Sequence, residues 1–302
     1  MSILLRKLFI FYLPALLFPF LAAGQELLQV AEGTNSCSLG SQASYSVSIP
    51  QAKLKEVKSA WKKYVRQGTK KSAEEDGNEI ILSQAVLPAL GPDTFTVIAR
   101  TEAADNGVQF TTFYHWNDSL FMSSSIDGNQ SEKIKSYVRT FALQQYKIAV
   151  EDQLSENQKT LKSLDNDLEE LISSNEQSER KIKEHNRSID QLKDEIKTTE
   201  KELELKSEEV IRQKMVVESF TGTPEARELE EKKLRELNKQ KKKVIDRKEN
   251  MHKDIDDYEK KIKDRERSIE KNKSELIPVK KDEITRQKEI NKGIEEKLKG
   301  IH

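Results

Sequence analysis

The residues that could perform acid–base chemistry or bind a metal are few in this chain. The four histidines are His115, His185, His252 and His302. None lies at the short spacing from Cys, Asp or Glu that metal sites use. His115 precedes Trp116 and Asp118 and is the one candidate worth considering for a general acid–base group, but we favour an ordinary solvated histidine at a hairpin end. We therefore expect no catalytic, metal-binding or cofactor-binding residue.

One segment faintly resembles a phosphate-binding loop, GTKKS at 68–72. It lacks the first glycine of the P-loop pattern and precedes no apolar helix, so the sequence predicts no nucleotide site there. No serine lies in a nucleophile elbow. The protein is predicted to be non-enzymatic.

Aromatic residues at the end of one predicted strand are candidates for contact with a ligand or partner. They are Tyr114, His115, Trp116 and Phe121. Core packing is the alternative explanation for aromatic residues at these spacings.

A lysine-rich segment, KKLRELNKQKKK at 232–243, is the most basic part of the chain. Its lysines are Lys232, Lys233, Lys239, Lys241, Lys242 and Lys243. One hypothesis is contact with an anionic surface such as lipid headgroups, a polyanionic glycan or an acidic protein. The alternative is a solvated helix face whose lysines pair with acids of the preceding helix. Those acids are Glu202, Glu204, Glu208 and Glu209.

The N-terminus has the pattern of an export signal. Arg6 and Lys7 precede an apolar run at 8–23, and small residues end it at Gly24. The run is shorter than the roughly 20 residues of a membrane span, so cleavage near Gly24 is favoured over an uncleaved anchor. We expect an exported protein, periplasmic or secreted, with a signal peptide at 1–24 and a flexible leader at 25–41. Cys37, the only cysteine, has no internal disulfide partner.

Composition limits the fold and the partners. The formal net charge is +0, with 52 basic and 52 acidic side chains, which argues against nucleic-acid binding. Charged residues make up 34% of the chain and aromatic residues 6%, a balance typical of long exposed helices or of disorder. Periodicity favours helices, as described below.

Residues 42–130 are predicted to form a small α+β head domain. The apolar pattern gives the order β-α-β-β-β-β-α, with turn-forming residues between the strands. A helix at 50–67 places Val57 and Trp61 on one face. By topology the domain resembles the helix-grip or TBP-like arrangement of an antiparallel sheet, or alternatively a ferredoxin-like one. Such a resemblance implies no function.

From 131 the chain is predicted to be a long coiled coil, which makes the protein mainly α overall. Heptad a positions from Leu154 to Val217 are aliphatic except Asn175, and such a seam requires a partner helix. The pattern stops at 219–224 and resumes over 225–302. Gly222 is suited to ending the first helix, and Thr223-Pro224 to starting the second.

The interruption predicts a turn between arm 1, at 131–218, and arm 2, at 225–302, which fold back as an antiparallel coiled-coil hairpin. The register that sets Ile196 against Met251 also sets Asn175 against Asn272. A buried Asn pair would specify this register. Pro278 is predicted to break arm 2, after which the chain returns along residues 146–163.

These features favour an exported scaffold, spacer or interaction module of the cell envelope, with protein partners and with self-association as a further option. One alternative is a periplasmic adaptor, because membrane-fusion proteins of efflux and secretion systems also contain helical hairpins. That resemblance covers only the hairpin. The other alternative is a ligand-binding head on a helical stalk.

Overall fold

The protein is a mainly helical α+β protein with a seven-stranded antiparallel sheet. The computed structural model describes residues 28–67, 69–116 and 120–301. The chain divides into two compact units. The head unit comprises residues 1–158 and 290–302, and the arm unit comprises residues 159–289.

The predicted signal peptide and its cleavage point near Gly24 lie outside the described residues, as does Asp118. Within the part of the chain that is described, no helix has a stretch long and apolar enough to cross a membrane.

The head unit is built on one sheet. Its strands are β1 (Ala31–Cys37), β2 (Gly40–Pro50), β3 (Glu74–Asp76), β4 (Glu79–Val86), β5 (Thr94–Ala104), β6 (Gly107–Trp116) and β7 (Leu120–Phe121), and its helices are α1 (Leu54–Tyr64) and the first turns of α2 (Gly128–Glu218). The strand order is β1-β2-β6-β5-β4-β3, and β7 pairs with β6. The predicted elements are present, with β1 and β3 added and β7 shorter than expected.

Alternation of side chains places the core on one face of the sheet. Val47 of β2 lies opposite Phe110 of β6, and Val97 of β5 lies opposite Tyr114 of β6. All four side chains are buried in the core of the head unit.

Two helices cover this face. The ring of Trp61 on α1 lies 4.9 Å from Phe110 of β6 and 4.9 Å from Phe141 of α2, in edge-to-face contact with both. The predicted amphipathic face of α1 therefore joins the sheet to the first turns of α2, which extends the head beyond the predicted boundary at 130.

Residues 31–37 were expected to belong to a flexible leader, and this expectation is wrong, because they form strand β1. Backbone pairing with β2 orders the segment. The tip of the β1–β2 hairpin also reaches two strands that are not its neighbours. The backbone N–H of Ser38 donates to Glu79 of β4 at 3.0 Å, and Arg100 of β5 donates to the carbonyl of Ser36 at 2.9 Å.

The last residues of the chain complete the head unit. Ile294 is buried in its core, with Leu298 and Ile301 packed against it. Lys297 Nζ donates to Gln51 Oε1 at 3.0 Å and lies 5.2 Å from the ring centre of Tyr146. Burial lowers the pKa of Lys297.

The arm unit contains the rest of α2, then α3 (Pro224–Lys271), a π-helical segment (Asn272–Leu276) and the start of α4 (Ile277–Lys299). An apolar cluster joins α2 and α3. Its members are Ile189, Ile196, Met251 and Ile255, with Leu192, Tyr258 and Ile262 packed against it. Polar contacts join the helices on both sides of this cluster. Toward the turn, Gln213 donates to Glu230 at 2.7 Å, and at the other end Asn272 donates to Asn175 at 2.7 Å.

The segment between α2 and α3 begins the new helix as predicted. Thr223 is the N-cap, and its hydroxyl accepts from the N–H of Ala226 at 3.4 Å, with Pro224 following in the first turn. Gly222, however, does not adopt a positive φ. A Cβ at this position would come within 2.6 Å of the Phe220 ring, so a larger residue here would require that ring to move.

Pro278 does not end the helix, contrary to the sequence prediction. The five-residue π-helical segment precedes it, and the N–H of Ile277 donates to the carbonyl of Asn272, five residues earlier. A π-bulge shifts the hydrogen-bond ladder by one residue. Because of this shift, the helix accommodates Pro278, which lacks an N–H, and continues as α4.

Candidate interaction surfaces

The predicted aromatic cluster is divided between the two faces of the sheet. Tyr114 is fully buried, in edge-to-face contact with Tyr45 and Phe95 at 5.9 and 6.2 Å, and Trp116 packs against the same core. The alternation of β6 points the intervening His115 the other way.

His115 stacks on Phe121 of β7, with ring centres 4.6 Å apart and planes 16° apart. Both are partly exposed. They form a small flat surface of two rings and are the only pair of the four predicted residues that the described structure brings together at the surface.

The described residues contain no group of three His, Cys, Asp or Glu side chains that could hold a metal ion.

Three buried polar groups in the head core have no hydrogen-bond partner among the residues that the structure describes. They are Trp61 Nε1, Thr101 Oγ1 and the Tyr114 hydroxyl. Burial, which disfavours the phenolate, raises the pKa of Tyr114 well above its ordinary value, against a smaller lowering by the nearby Thr112 hydroxyl. That hydroxyl donates to the Tyr45 carbonyl instead of forming a hydrogen bond with Tyr114. Sequence analysis placed Trp61 on the apolar face of a helix and named Tyr114 as a candidate for contact with a partner, but it did not single out Thr101. It had no means of finding the missing hydrogen bonds, because hydrogen-bond partners are set by packing.

A shallow polar cleft of about 290 Å³ opens at the tip of the β1–β2 hairpin. Its lining is Ser36, Cys37, Ser38, Asp76, Asn78, Glu79 and Arg100. Burial and then the nearby carboxylate of Glu79 raise the pKa of the Cys37 thiol, against a hydrogen bond with the Leu39 backbone. Because the thiolate is the reactive form, this environment makes Cys37 a poor nucleophile.

Glu32 of β1 ties the start of α2 to the sheet. It accepts from the backbone N–H of Ser124 at 2.6 Å and from the hydroxyl of Ser131 at 2.9 Å, and Lys135 Nζ lies 3.4 Å away. Burial alone would raise the pKa of Glu32, but these hydrogen bonds outweigh it and lower the pKa. Sequence analysis missed Glu32 because it lay in the presumed leader.

The lysine-rich segment lies on α3, and its charges are mostly uncompensated. Of the six predicted lysines, only Lys233 forms an ion pair among the described residues, with Glu230 at 2.6 Å. The acids proposed as partners bind elsewhere. Glu208 pairs with Arg212 and Glu209 with Lys206, each on its own helix, while Glu202 pairs with Arg247.

The two asparagines proposed to specify the register are in contact. Asn272 Nδ2 donates to Asn175 Oδ1, and both side chains are buried. Each amide thus satisfies part of its hydrogen-bonding capacity inside an otherwise apolar contact.

Comparison with known proteins adds no relative. No protein-family model, curated protein or solved structure matches this chain.

Proposed function

We propose that this protein is an exported, non-enzymatic interaction protein of the cell envelope, whose arms form an antiparallel coiled-coil hairpin that serves as a scaffold or spacer. The observation that carries the proposal is the buried hydrogen bond between Asn175 and Asn272, which lies on the same seam as the apolar cluster of α2 and α3. Polar pairs at core positions of coiled coils specify register.

The contacts along the seam support this arrangement energetically. Ile189, Ile196, Met251 and Ile255 are each less than a tenth exposed, and burying a side chain of this size contributes about 1.5–3 kcal/mol. The remaining faces of both helices are mostly charged and exposed, with some exposed apolar side chains, among them Leu205, Ile211 and Met215 of α2. A narrow apolar seam with a wide solvated surface is typical of a helix pair that presents its outside to partners.

For the head we propose the helix-grip or TBP-like topology. In the observed strand order β2 lies beside β6. The chain therefore passes from β2 through α1 to β3 and β4 at the opposite edge of the sheet, and β5 and β6 then follow back toward β2. This order supports that topology over the ferredoxin-like alternative.

A ligand-binding head is a second candidate function. Three buried groups that lack a hydrogen-bond partner in the described part of the chain favour it, namely Trp61 Nε1, Thr101 Oγ1 and the Tyr114 hydroxyl. Buried polar groups usually have a partner from protein, water or ligand. A small-molecule screen that follows the melting temperature of the head would test it, with Tyr114→Phe removing the response to a true ligand.

Intramolecular cross-linking tests the hairpin. In a Cys37→Ser background, the double variant Ile196→Cys/Met251→Cys should oxidise to a disulfide within a monomer, whereas Ile196→Cys/Ile262→Cys should not. Disulfides found only between chains would contradict the hairpin.

Photo-cross-linking in cells tests the role. A photoreactive amino acid at an exposed arm position such as Lys253 should give protein adducts in an envelope or secreted fraction. Adducts obtained only from the head, at Phe121 for example, or a protein retained in the cytoplasm, would contradict the proposed function.

A further inference from the structure

A basic strip runs along the exposed side of α3. Lys232, Arg235, Lys239 and Lys243 recur at intervals of three or four residues, which places them on one helix face. All four are exposed, and within the described chain none forms an ion pair. The strip is bounded by acids on the same face, Glu228 before it and Asp246 after it, which are also exposed and unpaired in that part of the chain.

An acidic strip with a similar arrangement of charges lies on one face of α2. Asp165, Glu169 and Glu176 share an exposed face and form no ion pair with any described residue. Here the bounding residues have the opposite sign, Lys162 before the strip and Arg180 after it. Ion pairs do form close by, since Asp167 binds Lys280 and Glu179 binds Lys273. The strip residues therefore stay unpaired because their face points away from the other helices of the arm unit.

The two strips match when they run antiparallel. In one register the facing pairs are Glu228 with Arg180, Lys232 with Glu176, Lys239 with Glu169, Lys243 with Asp165, and Asp246 with Lys162. Each of these pairs joins opposite charges, and the remaining member, Arg235, faces the neutral Ser173.

The strips cannot meet within one chain. Residues of α3 in this region contact a much later part of α2, since Glu230 bonds Gln213 and Arg247 pairs with Glu202. The acidic strip lies at 165–176, where α2 instead contacts Lys280 and Asn272. We propose that the basic strip of one copy binds the acidic strip of a second copy.

This contact is heterologous, because two different surfaces meet. Each copy in a pair keeps one strip unused, so the contact does not close after two copies and builds staggered chains. From Glu228 to Asp246 the contact is roughly 27 Å long. It uses one helix face from each copy, which buries less than the about 1,200 Å² of a standard stable interface. The association is therefore weak and sensitive to ionic strength.

A second copy fits the basic strip better than an anionic lipid surface does. A lipid surface would meet Glu228 and Asp246 together with the lysines, and these acids would be repelled. The acidic strip presents Arg180 and Lys162 at the matching positions, so the bounding charges attract as well.

Sedimentation velocity over a range of concentrations tests the proposal. At about 20 mM salt the weight-average sedimentation coefficient should rise with concentration, and at about 300 mM salt this rise should disappear, because the Debye length falls from roughly 20 Å to below 10 Å. A coefficient independent of concentration at low salt would overturn the proposal.

Charge reversal gives a sharper test. The variant Lys232→Glu/Lys239→Glu/Lys243→Glu and the variant Asp165→Lys/Glu169→Lys/Glu176→Lys should each lose self-association, and an equimolar mixture of the two should regain it. The matched control Lys253→Glu/Lys260→Glu/Lys263→Glu changes the net charge equally outside the strip. It should associate like the wild type. Association retained by the single reversals, or lost equally in the control, would refute pairing of the strips.

Two further measurements identify the surface. In a Cys37→Ser background, Lys239→Cys/Glu169→Cys should give disulfide-linked ladders, and Lys260→Cys/Glu169→Cys should not. Vesicles containing anionic lipid should not bind the wild type more than the Lys→Glu variant. Vesicle binding through these lysines without self-association would replace the proposal with a membrane contact.

The inference rests on the proposed hairpin, which the Ile196–Met251 disulfide tests separately. If that disulfide forms within a monomer and the strips do not associate, only the pairing of copies is wrong.

Discussion

Asn272 Nδ2 lies 2.7 Å from Asn175 Oδ1, and the two amides form a buried hydrogen bond between α2 and the π-helical segment. Replacing one partner leaves the other amide buried and unsatisfied, whereas replacing both removes the need for the bond. This asymmetry gives the first prediction.

Asn272→Leu should lower the free energy of unfolding by about 1–3 kcal/mol, while Asn175→Leu/Asn272→Leu should be close to neutral or stabilising. Urea denaturation followed by circular dichroism measures both. The control is Asn166→Leu, at an exposed position of α2, the helix that contains Asn175. It should change the free energy of unfolding little. Equal losses in the single and double variants would show that the amides do not act as a pair.

Two buried tyrosines of the head should respond oppositely to removal of the hydroxyl. No described residue forms a hydrogen bond with the Tyr114 hydroxyl, so Tyr114→Phe should stabilise the head by about 1 kcal/mol. The Tyr45 hydroxyl donates to the Met122 carbonyl at 3.3 Å, so Tyr45→Phe should cost about 1 kcal/mol. Thermal unfolding of the two variants in parallel provides the comparison. A destabilised Tyr114→Phe would mean that this hydroxyl binds a partner.

Glu32 should make the head less stable in acid. Its pKa in the folded protein lies below the ordinary value of 4.5, so the ionised form stabilises the fold. This stabilisation is complete above the unfolded pKa and is lost as the pH falls through the folded pKa. Glu32→Gln should therefore be destabilised by roughly 1–2 kcal/mol at pH 7 and approach the wild type as the pH falls below the folded pKa of Glu32. Denaturation curves from neutral to acidic pH measure the difference, and a gap that persists unchanged in acid would contradict the role of the carboxylate.

The C-terminal segment should be required for the head core. Ile294 is 6% exposed and packs in that core, whereas Ile290 of the same helix is 49% exposed. Ile294→Ala should cost about 2–5 kcal/mol, and Ile290→Ala should change stability by less than about 0.5 kcal/mol. The near-ultraviolet circular dichroism of the head aromatics during unfolding distinguishes the two. Similar small effects would show that the segment is not part of the core.

The local elements of the head were predictable because each has its own periodic signal. The alternation in β2, β5 and β6 and the amphipathic pattern around Trp61 lie within single segments. Strand β1 was missed because its residues, AEGTNSC, are small and polar and show no alternation. It is ordered by pairing with β2, which a local pattern does not reveal.

The predictions for Pro278 and Gly222 were also wrong because each rested on a rule for a few neighbouring residues. The rule that proline ends a helix is local, and a π-helical segment can absorb the missing hydrogen bond. Gly222 suggested a left-handed cap, but it does not adopt a positive φ. In both cases the local rule allows more than one backbone geometry.

The sequence by itself determined the mainly helical content, the strands β2, β4, β5 and β6 and the face of each helix that must be buried, because periodicity and turn chemistry act over a few residues. Only the tertiary structure decided which polar groups are paired. It joined Asn175 to Asn272 and Glu32 to the start of α2, placed Tyr114 and His115 on opposite sides of one strand, and left the basic strip of α3 without an ion pair to any described residue. Pairing depends on which distant residues the fold brings within about 3 Å of each other, and no pattern confined to one segment contains that information.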